Sequence, residues 1–149
     1  MTQTQETYST YISCDRSLLD DSFVYHYLHQ NMYWAKALTF EAFQRSLVHS
    51  ALVFGVYERL EDDGHRQIGF ARVISDCATF AYLTDVFIVE QYRGQGLSKR
   101  LMQEITSHPL LQGLRRFLLV TEDAAGLYAQ FGFQPLVDAE HWMQIFHDH

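Results

Sequence analysis

One segment near the middle of the chain limits the folds that this sequence can adopt. Residues Tyr82 to Val89 are apolar at both odd and even positions, which is typical of a strand buried on both faces of a sheet. A turn with Gly94 and Gly96 follows, and apolar residues then recur every four positions from Leu97, which predicts an amphipathic helix. A strand, a glycine turn and a helix in succession indicate a domain that combines a sheet with helices on its faces.

The rest of the sequence predicts further elements around this unit. We expect strands over Tyr8 to Ser13, Ala51 to Tyr57, Gln67 to Ile74 and Arg116 to Thr121, and a last extended segment from Phe133 onward. We expect further helices over Leu18 to His29, over Phe40 to His49 and, with Asp123 as N-cap, up to about Phe131. This order describes a mixed α/β or α+β fold. With only two prolines and no linker, the simplest organisation is a single domain over residues 1–149.

Composition excludes several classes of protein. Eleven basic and 18 acidic side chains give a net charge of −7, so we expect no nucleic-acid partner and a preference for cationic ligands. The sequence has neither a signal-peptide pattern nor a membrane-length apolar run, and Cys14 and Cys77 form no CxxC pair. We therefore expect a cytoplasmic protein without membrane contact. The scattered histidines match no metal-binding spacing, so we expect no metal site.

The glycine turn has the features of an anion-binding site. Gly94 and Gly96 let the backbone approach a ligand closely, and the next helix offers unpaired N–H groups and the positive end of its dipole. The dinucleotide fingerprint would need glycine where the chain has Lys99, and the triphosphate loop would need Gly-Lys-Ser or Gly-Lys-Thr, which is absent. Taken alone, the turn is equally consistent with a plain connection between strand and helix.

Two short motifs extend this interpretation. Gln91-Tyr92-Arg93-Gly94-Gln95-Gly96 resembles the Q/R-x-x-G-x-G/A motif of the GCN5-related N-acetyltransferases. A second reading of the motif, from Arg93, ends on Ser98 where the family has glycine or alanine. Leu127-Tyr128-Ala129-Gln130-Phe131-Gly132-Phe133 is similar to the family's LYxxxGF signature, and a predicted strand separates the two motifs as in the family.

The resemblance implies a fold, a cosubstrate and a set of binding residues. The fold is a mixed, mostly antiparallel sheet flanked by helices, with a splay between the two central strands that admits the pantetheine arm of acetyl-CoA. Main-chain contacts to pantetheine would come from Phe87 and Val89, although Thr121 stands where the family often has a pantetheine-binding asparagine. The pyrophosphate would be held by the loop residues Gly94, Gly96, Leu97 and Ser98, with Arg93 and Gln91 helping.

Transfer of an acetyl group from a thioester to an amine requires the acceptor to lose a proton and the leaving thiolate to be protonated or tolerated. Tyr128 occupies the position of the family's general acid, and a phenol with a pKa of about 10 stays protonated at neutral pH. The alternative is a tyrosine that packs in the core.

Asp85 interrupts the apolar strand two residues before Phe87, and three roles are open for it. Desolvation would make it a general base, a nearby cation would make it a charge partner for the acceptor amine, and local hydrogen bonds would make it structural. If it is structural, Asp76 and Glu122 are the remaining acids, although Asp76 also fits a hairpin end and Glu122 a helix start.

The acceptor site is less clearly marked. Tyr33 and Trp34 lie between the first two helices and either form an aromatic or cation–π wall or cover the core. Tyr82 and Arg72 are weaker candidates. The resemblance implies transfer of acetyl from acetyl-CoA to a primary amine of a small molecule, peptide or protein by direct attack in a ternary complex. An acyl-CoA-binding module without turnover, transfer of another acyl group and a homodimer remain open.

Overall fold

The computed structural model describes residues 9–148, so the predicted strand start at Tyr8 lies outside the described residues. These residues form five strands and four α-helices. The strands are β1 (Thr10–Ser13), β2 (Leu52–Arg59), β3 (His65–Ser75), β4 (Phe80–Ile88) and β5 (Arg116–Leu119). The helices are α1 (Asp21–Asn31), α2 (Phe40–Val48), α3 (Leu97–Ser107) and α4 (Ala125–Ala129).

The strands form one sheet in the order β1-β2-β3-β4-β5. All neighbours are antiparallel except β4 and β5, which confirms the predicted mixed, mostly antiparallel sheet flanked by helices. Pairing between β4 and β5 ends at Leu83 and Leu119, although β4 continues to Ile88. The two strands therefore part beyond Leu83, and this opening is the splay.

Alternating side chains hold helices on opposite faces of the sheet. In β3, Phe70 packs with α1 and α2, whereas Ala71 packs with α3 and α4. The first cluster contains Val24, Leu28, Ala35, Phe43, Leu47, Val53, Phe70 and Phe87. The second includes Leu52, Phe54, Val56, Ile68, Leu101, Met102, Ile105 and Tyr128. The sheet is thus a central layer covered on both sides.

Side-chain caps set where the first two helices begin. The prediction that α1 begins near Leu18 is wrong, because the Asp20 carboxylate accepts a hydrogen bond from the Phe23 N–H at 3.1 Å and the helix begins at Asp21. Arg16–Leu18 is instead a short 3₁₀ turn. The Thr39 hydroxyl caps α2 in the same way. No helix within residues 9–148 has both the length and the apolarity needed to cross a membrane.

Two predictions near the C-terminus are wrong. Asp123 does not cap α4, since the Ala124 N–H donates to the Thr121 hydroxyl at 3.0 Å and no side chain caps the helix itself. The last predicted strand is absent from the described residues, where the chain after Phe133 is irregular apart from a turn at residues 137–138 and the 3₁₀ helix Ala139–His141. Asp138 bends this segment by pairing with Arg116 at 2.8 Å.

The turn between β3 and β4 is organised by Asp76. One carboxylate oxygen accepts hydrogen bonds from the N–H groups of Ala78, Thr79 and Phe80 at 2.9, 2.7 and 3.1 Å. The other accepts the Thr79 hydroxyl at 2.6 Å. These bonds, first the one from the Thr79 hydroxyl and then those from the main chain, hold the pKa of Asp76 well below its usual range. Asp76 is therefore a hairpin-end residue, one of the roles that its position suggested.

We expect Asp76→Ala to lower the melting temperature at neutral pH, with a penalty that shrinks as pH falls. Because the folded pKa lies below the unfolded value of about 3.9, the ionised carboxylate stabilises the fold above that pH and loses its effect as pH falls through the folded pKa. Thermal melts at about pH 6 and about pH 2 measure this difference, because the lower pH lies well below the unfolded pKa and near the folded one. Glu61→Ala, at an exposed turn acid, is the control, and an equal penalty at both pH values would contradict the assignment.

Candidate active site

The turn between β4 and α3 leaves a set of unpaired N–H groups. Gly94 and Gly96 have φ angles of 79° and 76°, in the left-handed region that favours glycine. Gly96 is the N-cap of α3, and no side chain caps this helix. The first helical bond runs from the Arg100 N–H to the Gly96 carbonyl at 3.1 Å. The N–H groups of Leu97, Ser98 and Lys99 are therefore available to an anion at the positive end of the helix dipole.

Space as well as charge is available at this turn. A Cβ added to Gly94 or Gly96 would meet no heavy atom within 4 Å. The backbone angles therefore favour glycine there, while no protein atom fills the space above the two residues. We call the main chain from Gly94 to Lys99 the N–H cradle, and its donors fit a pyrophosphate.

The splay offers main-chain groups from residues different from those predicted. The Val89 N–H already donates to the Ile68 carbonyl at 2.8 Å, so it faces β3 and not the opening. Since main-chain direction alternates along a strand, Phe87 also faces β3, whereas Ile88 and Val86 face away from it. The Ile88 carbonyl accepts from Arg93 Nε at 3.0 Å, which agrees with this direction. The predicted main-chain contacts through Phe87 and Val89 are corrected accordingly.

The predicted binding residues Phe87 and Arg93 are tied to α1 through Tyr27. The Phe87 ring is buried and stacks on the Tyr27 ring at 3.9 Å between centroids. The Tyr27 hydroxyl accepts from Arg93 Nη2 at 3.2 Å. Two of the five N–H donors of the Arg93 guanidinium are thus engaged, which fixes the group beside the cradle and leaves donors for a ligand.

Gln91 lines a cavity to which no residue of the cradle contributes. The cavity has a volume of about 550 Å³, lies between the start of α1 and the start of β3, and is also lined by Asp20, Arg66, Gln67 and others. The buried Gln67 side chain holds this region together, because its Oε1 accepts from the Asp20 N–H and its Nε2 donates to the Gly69 carbonyl. The predicted help of Gln91 in phosphate binding therefore has no support from its surroundings.

Tyr128 lies on α4 with a buried ring and an unengaged hydroxyl. The ring contacts Phe133 edge-on at 6.0 Å, and the residue is 9% exposed. The hydroxyl makes no hydrogen bond to any other described residue. Burial, and to a smaller extent the charge of Asp123, raises the pKa of Tyr128. The phenol is therefore protonated at neutral pH and is free to donate.

Asp85 forms a buried ion pair with Arg72. Arg72 Nε lies 2.9 Å from one carboxylate oxygen of Asp85, and the Thr84 hydroxyl lies 3.3 Å from the other. The Asp85 side chain is 3% exposed and the Arg72 side chain is 14% exposed. Arg72 Nη1 also donates to the Ser50 hydroxyl at 3.2 Å. Asp85 has a φ of 60° and lies in the bulge where the pairing of β3 with β4 shifts between Phe70 and Arg72. These contacts favour a structural role for Asp85 over the roles of general base and charge partner. They also engage the buried Arg72 guanidinium, so Arg72 is not placed to bind an acceptor amine.

The remaining acceptor candidates are dispersed. Tyr33 and Trp34 lie in one 3₁₀ turn and are largely open to solvent, with the buried Ala35 holding the turn in place. Tyr82 lines a second cavity, of about 470 Å³, along β5. No three His, Cys, Asp or Glu side chains within residues 9–148 come together as a metal site would require.

The sequence interpretation missed three residues of the site. The resemblance pointed to Phe87 and Val89 for the main-chain contacts, whereas the main-chain groups that face away from β3 belong to Val86 and Ile88. An aspartate inside an apolar strand was the signal that could have suggested the bulge at Asp85. Tyr27 was assigned to the helix stripe only, and nothing in the sequence indicated its bond to Arg93.

We expect Asp85→Asn to lower the free energy of unfolding by about 3–5 kcal/mol, because it leaves the buried Arg72 without a counter-charge. Urea unfolding measures the loss, and Glu140→Gln, in an exposed pair, should change little. Unchanged stability together with loss of the acidic limb of the rate–pH profile would instead make Asp85 a general base.

Comparison with known proteins agrees with this geometry. The profile of the acetyltransferase (GNAT) domain matches residues 50–135. A Gibberella zeae protein named as an acetyltransferase is 30% identical over 136 residues, which covers 80% of this chain and 75% of that protein. The thialysine N-epsilon-acetyltransferase of Mus musculus is 33% identical over 68 residues, which covers 43% of this chain and 40% of the mouse enzyme.

A solved structure agrees over nearly the whole chain. A GNAT-family protein of Xanthomonas campestris pv. campestris is 46% identical and has a TM-score of 0.85, covering 93% of this chain and 94% of that one. The fold, the cradle before α3 and the profile match lead to one conclusion. This chain belongs to the GNAT family of acetyltransferases.

Proposed function

We propose that this acyltransferase moves an acetyl group from acetyl-CoA to a primary amine by direct attack in a ternary complex. The observation that carries the proposal is the N–H cradle. Gly94 and Gly96 have positive φ angles, no side chain caps the helix that follows them, and the cradle lies beside the splay between β4 and β5. An anionic pyrophosphate and an extended amide chain are the ligand parts that such a site suits.

The binding residues follow from the free main-chain groups. The cradle amides of Leu97, Ser98 and Lys99 bind the pyrophosphate, and the remaining donors of Arg93 add positive charge. Val86 and Ile88 pair with the amides of pantetheine as a missing neighbour strand would. Phe87 supports them through its packing with Tyr27 and makes no direct contact.

The chemistry needs one proton donor at the sulfur. In the reaction the acceptor nitrogen forms a bond to the thioester carbon, the carbon–sulfur bond breaks, and the amine proton leaves to solvent. The Tyr128 hydroxyl donates toward the leaving sulfur, because its raised pKa keeps it protonated and no other described residue uses it. Asp85 takes no part in this step and stabilises the bulge through Arg72.

A cationic amine is the acceptor class that we propose. The chain carries a net charge of −7, and the exposed rings of Tyr33 and Trp34 can contact a cation. The mouse relative is named for acetyl transfer to the N-epsilon of thialysine, which is also a basic amine. A panel of amines that includes thialysine, lysine, polyamines and lysine peptides, with neutral amines as controls, tests this choice by acetyl-CoA consumption.

We expect Gly96→Val to abolish the rise in melting temperature that coenzyme A gives the wild type. A side chain at a φ of 76° distorts the cradle and occupies the ligand space, whereas ligand at 100 times its dissociation constant should stabilise the wild type by about 2.7 kcal/mol. Gly113→Val is the matched control, since Gly113 has a φ of 72° and open surroundings but lies outside the cradle. A folded wild type with no shift at saturating coenzyme A would refute the proposal.

We expect Tyr128→Phe to keep coenzyme A binding and to lower kcat by about 10²–10⁴-fold, because it removes one hydroxyl and keeps the ring packing. Single-turnover kinetics with the best amine of the panel measure the effect. Tyr57→Phe is the control, since that buried hydroxyl has no hydrogen-bond partner among the described residues. Wild-type turnover in Tyr128→Phe would remove the acid assignment, and absence of turnover in the wild type with every amine would favour a binding module.

A further inference from the structure

Four aromatic side chains cluster between α1 and the sheet, and one of the four carries a hydroxyl. They are Phe23 and Tyr27 of α1, Phe70 of β3 and Phe87 of β4. The rings of Tyr27 and Phe87 are stacked, with 3.9 Å between centroids and 12° between planes. The three other ring contacts in the cluster are tilted, with centroids 6.1 to 6.3 Å apart. Tyr27 is therefore the closest ring to Phe87 in this cluster.

Phe87 connects the aromatic cluster to the splay. Its side chain is buried on the α1 side of the sheet, and its main chain joins Val86 to Ile88. Those two neighbours have the main-chain groups that face away from β3. A ring held in a close-packed cluster restricts the Cα that bears it, and it therefore restricts the peptide groups on both sides. The Tyr27 ring thus stabilises the stretch of β4 whose main chain is open to a ligand.

The Tyr27 hydroxyl contacts a different part of the site. It accepts a hydrogen bond from Arg93 Nη2 at 3.2 Å, and the Ile88 carbonyl accepts one from Arg93 Nε at 3.0 Å. Both bonds lie on the same edge of the guanidinium, because Nε and Nη2 share one side of it. Among the described residues, no atom accepts from Nη1 or from the second N–H of Nη2. The guanidinium therefore keeps two nitrogens as donors, in the fork that binds two oxygens of a phosphate.

These two bonds fix a side chain that would otherwise move freely, since Arg93 is exposed. A long side chain that is free before binding loses rotamer freedom when a ligand fixes it, and this loss weakens binding. Arg93 is already held, so binding a ligand costs less entropy. One of the two bonds goes to the main chain of Ile88. Within residues 9–148, the Tyr27 hydroxyl is the one side-chain group that holds the Arg93 guanidinium.

The helix that carries Tyr27 is itself fixed at both ends. At its start, Gln67 Oε1 accepts from the Asp20 N–H at 2.9 Å. At its end, Lys36 Nζ donates to the His29 carbonyl at 2.8 Å. The helix is thus tied to β3 and to the turn that follows it, and Tyr27 is held in a defined position against β4.

We propose that Tyr27 is a positioning residue for both parts of the coenzyme A site. Its hydroxyl holds Arg93 ready for the pyrophosphate, and its ring holds Phe87 and thereby the main chain that pairs with pantetheine. Tyr27 acts through these two residues and takes no part in acetyl transfer. The inference rests on the proposed function, since it takes coenzyme A as the ligand.

Isothermal titration of the full chain tests the hydroxyl. We expect Tyr27→Phe to raise the dissociation constant of coenzyme A by about 3- to 10-fold, the effect of one lost hydrogen bond. The dissociation constant of pantetheine, which has no pyrophosphate and is measured by competition, should not change. Tyr25→Phe is the matched control on the same helix, because it removes a hydroxyl that donates to the Leu38 carbonyl at 2.7 Å. It should leave both constants unchanged.

Two failures of this experiment are distinguishable. Equal coenzyme A affinity in Tyr27→Phe and the wild type would overturn the role of the hydroxyl and leave the proposed function intact. A folded wild type that does not bind coenzyme A would overturn the proposed function, and this inference with it.

A double-mutant cycle tests whether the hydroxyl acts through Arg93. We expect Tyr27→Phe to have no further effect on coenzyme A affinity once Arg93→Ala is present, because the residue that it positions is gone. A purely structural role for the hydroxyl would give the same fold-change with Arg93 and without it. Equal fold-changes would therefore overturn the positioning role.

Tyr27→Leu tests the ring. We expect it to raise the dissociation constants of both pantetheine and coenzyme A by about 3-fold or more, on the scale of one aromatic pair, because Phe87 loses its stacked partner. Tyr27→Phe restores pantetheine affinity to the wild-type value, and Tyr25→Leu, which removes ring contacts to Phe40 and Phe43, is the control. Tyr27→Met keeps more of the packed volume and replaces Tyr27→Leu if that variant does not fold. Unchanged pantetheine affinity in the folded variant would overturn the role of the ring.

Discussion

The pairing of β4 is the constraint on which the rest of the structure depends. The strand is bonded to β3 as far as the Val89 N–H, but its partner on the other side ends at Leu119. Beyond Leu83 the main chain of β4 therefore keeps polar groups that no neighbouring strand satisfies. Unpaired main-chain groups are costly when water is excluded, so a ligand with amides of its own can replace the missing strand. The cradle lies at the end of the same strand and can hold the charged part of that ligand.

The bulge at Asp85 makes this arrangement compatible with a packed sheet. It inserts an extra residue, so that Ala81 and Leu83 face α3 before the bulge and Ile88 faces the same helix after it. A non-glycine residue at a φ of 60° is strained, at a cost of order 1–3 kcal/mol. The ion pair with Arg72 and the bond from Arg72 to Ser50 hold the residue in place. One buried pair thus fixes the side-chain directions on which both apolar clusters depend.

Sequence reasoning was most successful where one local rule decides the conformation. Two glycines before an amphipathic helix predicted the turn, and both have the positive φ that glycine favours. Sequence reasoning failed where the conformation of a residue depends on contacts with residues far away in sequence. Arg116 pairs with Asp138 in a turn where the sequence predicted a strand. After the bulge at Asp85, the main-chain groups of Val86 and Ile88 face away from β3, and those of Phe87 and Val89 face it. Which amine the site accepts stays a prediction, since Tyr33 and Trp34 are exposed to solvent.

The acidity of Tyr128 limits what it can do for a leaving thiolate. A phenol has a pKa of about 10 and a thiol one of about 8.5, so complete proton transfer from one to the other is uphill by about 2 kcal/mol even with ordinary values. Burial and the charge of Asp123 raise the pKa of Tyr128 and widen this gap. The hydroxyl therefore acts best as a hydrogen-bond donor to the sulfur while the carbon–sulfur bond breaks, with solvent supplying the final proton. Because the donor is buried and unengaged, it needs little rearrangement when the negative charge develops.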